Sequence, residues 1–260
     1  MEFKIEACVW NEISLLVEGY IAENNAVVDS YWEEHVLASN HYKITVDGEI
    51  IGFFAIHNNH TLTLFYMAPR HADKSQELFA KAKKYEEVTG AMVPTSDEFF
   101  LSHCLDDFAR LEKQAYFAVY GDKGVAANRK KALDLRLVDI DIDAEILKQS
   151  GDFLDESIAQ IRGKTRDVEI YIAQHNDEVV GFGVVDYGKI AKDVASIGMY
   201  VCEKHRKQGF AANILEHLKL MCFAKNMRAV SGCWYYNHNS KKSIEAAGAY
   251  SKTRLLRFCF

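Results

Sequence analysis

"MYVCEKHRKQGFAANILEHLK", Met199 to Lys219, is the stretch on which the reading of this chain turns. It begins like a strand and ends like a helix. Ile214, Leu218, Met221 and Cys222 recur at i, i+4, i+7 and i+8, which places them on one apolar helical face. Between strand and helix stand His205, Arg206, Lys207 and Gly209. The first turn of a helix leaves backbone N–H groups unpaired and carries partial positive charge. A diphosphate can settle there if no side chain blocks its approach, and Gly209 removes the Cβ at that point. Ala211 keeps the next turn small, while Arg206 and Lys207 add charge at the rim. A solvated basic loop before a helix-start glycine would show the same residues, so the local pattern leaves both readings open.

Working outward, the strands ahead of this stretch are part of a pattern that occurs twice. The first half contains "HYKITVDGEIIGFFAIHNNHTLTLFYMAP" and the second "EIYIAQHNDEVVGFGVVDYGKIAKDVASIGMYV". Each reads as a strand, a tight turn ("VDGE", "HNDE"), a glycine-bearing apolar strand, a loop and a third strand. A helix then follows in each, "SQELFAKAKKYEEV" and "AANILEHLKLMCFAKN". Each half next offers a strand ("GAMVP", "RAVSGCWYY"), a further helix ("FFLSHCLDDFARLEKQ", "NSKKSIEAAG") and a closing apolar run. "LDLRLVDI" and a helix-like "DAEILKQSGDFLDESIAQIRGK" precede the second set. This order predicts an α+β fold, an α/β-type mixed sheet covered on its faces. "YGDKGVAANRKK", Tyr120–Lys131, breaks the apolar pattern and is the natural boundary, giving domains 1–125 and 130–260. A period near half the chain is a domain duplication rather than a solenoid.

Here the resemblance becomes specific. Arg206-Lys207-Gln208-Gly209-Phe210-Ala211 resembles the acetyl-CoA-binding signature Q/R-x-x-G-x-G/A of the GNAT superfamily of N-acetyltransferases. "YYNHNSKKSIEAAGAY", with Asn237, Ser240 and Gly248, is similar to the family's later asparagine and helix. The resemblance covers about Ala132 to Phe260, and the first half looks like a degenerate second copy. It implies two tandem acyl-CoA N-acyltransferase (GNAT-like) domains and direct transfer of an acetyl group from acetyl-CoA to an amine. By the same resemblance, Met199 and Val201 would meet the pantetheine arm through their backbones. Residues 206–211 would hold the pyrophosphate, and Asn237 and Ser240 would lie beside the arm. Lys241 and Lys242 are added here as candidates for the 3′-phosphate, beside the plainer reading of a solvated helix start.

The sequence departs from the family pattern at the catalytic positions. Ile244 stands where many members have a tyrosine acid, and Ala195 and Ser196 where some have a glutamate base. Tyr235 is the candidate catalytic residue, against the alternative that "CWYY" simply packs in a sheet. Cys202 and Cys233 read as bystander thiols rather than acyl carriers. In the first half, Ala72 replaces the signature arginine, Ser75 replaces the glycine, and Glu77 brings negative charge, so that lobe is expected to have lost the cofactor.

Composition sets outer limits. The 260 residues are 49% hydrophobic and carry a net charge of −6, which argues against nucleic acid as a partner. No stretch is apolar enough to span a membrane, and "MEFKIEACVW" does not read as a secretory signal. Six scattered cysteines without a C-x-x-C pair suggest a reducing, cytoplasmic setting. "HNNH", His57–His60, reads as a hairpin turn rather than a metal site, and no metal is expected. The acceptor is expected to be a small-molecule amine. Glu169, Asp186 and Asp193 suit a cationic one, although plain solubility would also account for them. The alternative function is a non-catalytic acyl-CoA-binding or regulatory protein. Oligomeric state is not legible.

Overall fold

The structure, a computed structural model, describes residues 3–24, 26–85, 87–165 and 167–260. By contacts the chain divides into two compact units. The first comprises residues 1–115 with 253–260, and the second residues 116–252.

The first unit opens with β1 (Lys4–Cys8), α1 (Trp10–Glu23) and α2 (Ser30–Leu37). There follow β2 (Asn40–Val46), β3 (Glu49–His57), β4 (Thr61–Met67), α3 (Ser75–Lys83), β5 (Gly90–Pro94) and α4 (Glu98–Leu105). β6 (Arg110–Tyr120) begins in this unit and contributes residues 116–120 to the second. The second unit continues through β7 (Asp134–Leu137), α5 (Ala144–Leu147), α6 (Asp155–Gly163), β8 (Val168–His175), β9 (Glu178–Tyr187) and β10 (Val194–Val201). α7 (Phe210–Ala224), β11 (Arg228–Trp234), α8 (His238–Ala246) and β12 (Ala249–Cys259) complete it, β12 running on into the first unit from residue 253.

Each unit is a mixed sheet. Its strand order is β1-β2-β3-β4-β5-β12 in the first and β6-β11-β10-β9-β8-β7 in the second. The hairpin turns follow from their residues. Asp47-Gly48, Asn58-Asn59 and Asn176-Asp177 all take positive φ at both central positions, the backbone of a two-residue type I′ turn. "HNNH" is therefore the β3–β4 turn. In both units the parallel pair is short. β4 meets β5 only at Thr61–Leu62, and β10 meets β11 only at Val194–Ser196. Beyond Ser196, β10 runs on to Val201 with no ladder partner on its β11 side among the described residues.

The second unit's core lies under α7. Ile214, Leu218 and Cys222 are buried against β9 and β10, and a Cβ at Gly183 would stand 3.0 Å from Leu218. The opposite face is filled by Leu147, Leu154, Ile170, Ile172 and Phe182. The first unit's core gathers Phe54, Phe65, Leu78, Phe100 and Phe258.

Two elements differ from expectation. The helix read over Phe99–Gln114 stops at Leu105, and residues 110–120 form β6. The Ala109 N–H donates to the Cys259 carbonyl at 2.8 Å, so sheet pairing overrides the helical spacing of "ARLEKQ". The long helix read over Asp143–Lys164 is broken into α5, a 3-10 turn and α6, with Gly151 at φ +59° in the break.

Candidate functional site

A cleft of about 710 Å³ opens in the second unit where β10 and β11 part. One wall is β10 at Met199, Tyr200 and Val201. The floor is the turn into α7, with Arg206, Lys207, Gly209, Phe210 and Ala211. The far wall is the start of α8, with Asn237, Ser240 and Lys242.

The turn into α7 is built by unusual backbone. Lys207 sits at φ +63° and Gly209 at φ +89°, in the left-handed region that favours glycine. A Cβ at Gly209 would project into space bordered only by Lys131 Cε at 3.9 Å. Gly209 is the N-cap of α7, and no side chain caps the helix. The first intrahelical bond runs from the Asn213 N–H to the Gly209 carbonyl. The N–H groups of Phe210, Ala211 and Ala212 thus face the cleft end of the helix without an intrahelical acceptor. An open cradle, a positive helix end and a free strand edge are what a diphosphate joined to an extended amide arm requires. The residues present fit acetyl-CoA.

The matching turn in the first unit is closed. A 3-10 helix, Pro69–Lys74, runs directly into α3, and the Ser75 N–H already donates to the Ala72 carbonyl. Ser75 lies at φ −60°, is buried, and its Oγ is 2.8 Å from His103 Nε2.

Of the ten residues expected at the cofactor, nine line the cleft: Met199, Val201, Arg206, Lys207, Gly209, Phe210, Ala211, Asn237 and Ser240. Gln208 does not, its Nε2 donating to the Lys204 carbonyl at 3.1 Å. Arg206 lines the cleft but its guanidinium folds back, Nε to the Val201 carbonyl and Nη1 to Glu203. Asn237 caps α8, its side chain accepting from the Ser240 N–H at 3.1 Å. Lys242 lines the cleft, whereas Lys241 reaches Glu245 and lies over the Tyr116 ring.

Tyr235 is not among the lining residues. Its ring stacks on Tyr116, centroids 4.5 Å apart and 14° from parallel. The carboxylates expected to favour a cationic acceptor are engaged elsewhere. Glu169 accepts from Tyr171, Tyr187 and Lys225, Asp193 pairs with Arg228, and Asp186 is buried. None of the three lines the cleft, and neither does any other Asp or Glu among the described residues. The Cys202 thiol is pushed up by burial, with Sγ 3.9 Å from Gln149 Oε1, which is the setting of a structural thiol.

The structure adds residues that sequence reading missed. Phe153, carried by the break between α5 and α6, covers the β10 wall, 5.6 Å from the Tyr200 ring and 3.8 Å from the Cβ position of Gly198. Gly151 was the visible signal for that break. At the fork itself, Ser231 Oγ donates to the Ile197 carbonyl at 2.6 Å and lies 2.8 Å from the Tyr120 hydroxyl, so buried polar groups hold the two strands where they separate.

Comparison with known proteins agrees with this geometry. Residues 9–121 and 166–253 each match a model described as an acetyltransferase (GNAT) domain. No curated protein matches the chain. Among solved structures, an acetyltransferase from the GNAT family of Colwellia psychrerythraea superposes with a TM-score of 0.85 at 20% identity, covering 99% of both chains. A GCN5-related N-acetyltransferase from Sphaerobacter thermophilus gives 0.61 at 13%, over 98% of this chain and 94% of that one. A tandem GNAT protein from the clavulanic acid biosynthesis pathway gives 0.57 at 12%, over 99% and 98%. With both halves matched by that family's models, the chain belongs to the GNAT acetyltransferases and carries two such domains in tandem.

Proposed function

We propose that the second lobe binds acetyl-CoA and that an amine, on a small-molecule acceptor, attacks the thioester directly. The observation that carries this is the open, uncapped start of α7 at Gly209, facing a cleft whose β10 wall has no ladder partner on its β11 side beyond Ser196 among the described residues. When bound, acetyl-CoA supplies an activated acyl group. The N–H groups of residues 210–212 hold negative charge at the helix end, and Met199 and Val201 align an extended arm along β10 as an added strand would. Phe153 and Tyr200 would give the arm an aromatic surface to lie against. No covalent enzyme intermediate is involved, in keeping with the buried state of Cys202. The first lobe serves as a scaffold without a cofactor of its own, supported by the closed turn at Ser75. Six free cysteines support a reducing, cytoplasmic setting.

The absence of carboxylates from the described cleft walls favours one second reading, a non-catalytic acyl-CoA-binding protein. Thiol release from acetyl-CoA, followed across a panel of small amines, separates the two. Turnover on any amine supports the enzyme. Tight CoA binding with no turnover on any of them supports the second reading.

A further inference from the structure

The stretch 120–131, which joins β6 to β7 within the second unit, is fastened to α7. Three buried polar side chains of that helix, one turn apart, hold it. Asn213 Oδ1 accepts from the Lys131 N–H at 2.9 Å, and Asn213 Nδ2 donates to the Arg129 carbonyl at 3.2 Å and to the Gly209 carbonyl at 3.0 Å. Glu216 accepts from the Val125 N–H at 3.1 Å, and Lys219 Nζ donates to the Lys123 carbonyl at 2.9 Å. Asn213, Glu216 and Lys219 are 2%, 8% and 1% exposed. Buried polar groups this well satisfied fix one geometry.

That geometry delivers a cation to the turn. Lys131 Cε stands 3.9 Å from where a Gly209 Cβ would be, and its Nζ lies 4.9 Å from the Phe210 ring centroid. Three neighbouring cations are engaged, Lys204 with Glu178, Arg206 with Glu203 and Lys130 with Glu216, while Lys207 lines the cleft and Lys131 stands beside the turn, just outside the lining residues. Lys131 has no carboxylate partner among the described residues.

Building on the acetyl-CoA reading above, we propose that Lys131, held in place by Asn213, is a ligand of the cofactor's diphosphate, so that the β6–β7 connection within the second unit completes the phosphate site. The signature residue Arg206 contributes less charge there than Lys131 because its guanidinium is spent on the Val201 carbonyl and Glu203. A charge-assisted contact of this kind corresponds to roughly a 10- to 100-fold change in Kd.

Calorimetric titration of CoA, dephospho-CoA and pantetheine into the full chain and its Lys131→Gln and Lys131→Arg variants tests this. Lys131→Gln is expected to weaken CoA and dephospho-CoA alike, to leave pantetheine unchanged, and to be largely restored by arginine. Equal binding of CoA by wild type and Lys131→Gln overturns the proposal, as does a loss confined to CoA, which would put Lys131 at the 3′-phosphate. A general loss that includes pantetheine also overturns it, marking a structural role. Failure of the wild type itself to bind CoA is a different result and refutes the acetyl-CoA reading instead.

Discussion

Gly209 is the residue on which the cofactor reading rests most heavily. At φ +89° any other residue is strained by roughly 1–3 kcal/mol, even though a methyl group would meet open space. Gly209→Ala is therefore expected to lower thermal stability through backbone strain and to weaken CoA binding by placing a methyl group in the open cradle. Gly209→Glu adds a carboxylate in the path of the diphosphate and is expected to abolish binding, with circular dichroism unchanged. Tyr235 makes the opposite prediction. Its ring is committed to Tyr116 and lies off the cleft, so Tyr235→Phe, which keeps the stack, should change kcat by less than about 3-fold. Removal of a working acid would cost on the order of 100-fold or more, and a loss of that size would return Tyr235 to the mechanism. The motif residues were legible because Gly209 and its neighbours are fixed by local backbone demands. Phe153 and Lys131 were not, since only tertiary packing brings residues so far apart in sequence to one turn.

At the scale of elements, helix caps in the first lobe carry a pH signature. Asp29 caps α2 by accepting from the Trp32 N–H, and Asp97 caps α4 by accepting from the Phe100 N–H. Burial drives the Asp29 carboxyl up to about 7, with Glu33 and Glu34 adding to the rise, and drives Asp97 up to about 6 although Tyr20 and the cap bond oppose it. The unfolded carboxyls titrate near 3.8. Between that value and about 6 to 7 the folded state holds protons that the unfolded state has lost, so stability falls as pH rises through this window and is level above it. Thermal unfolding should show a lower first transition at pH 8 than at pH 5. In an Asp29→Asn, Asp97→Asn double variant, which keeps both cap acceptors, that difference should shrink. Burial holds the His41 and His57 imidazoles down, and these work in the opposite sense, so a pH dependence left unchanged in the double variant is the result that would contradict the burial argument. Turn chemistry made the hairpins readable in advance. The break in the long helix left one mark, Gly151, but the apolar periodicity continued through it, and packing against β8 and β10 set where the chain bent.

At the scale of the whole molecule, the second compact unit is one continuous stretch of chain but the first is not. Residues 253–260 of β12 belong to the first unit, where Leu255–Cys259 pair with β5 from Pro94 back to Gly90. Thr253, Leu255 and Phe258 are at most 1% exposed. A chain ending at Lys252 would leave β5 with an open edge and a cavity where Phe258 sat, a loss of roughly 3–5 kcal/mol from that ring alone. Its first thermal transition is expected to fall well below that of the full chain, and unchanged melting would show that β12 is dispensable. The duplication was visible in the repeated hairpin–strand–helix order. The path of the last strand was not, since an apolar run such as "RLLRFCF" can complete either sheet and only pairing decides which.

The central claim is that one lobe of the two holds the cofactor, at the turn that Gly209 keeps open. Titration of acetyl-CoA into the full chain by calorimetry tests it most directly. The account predicts one molecule bound per chain, with binding lost in Gly209→Glu. Two molecules per chain, no binding at all, or binding that survives Gly209→Glu would contradict it.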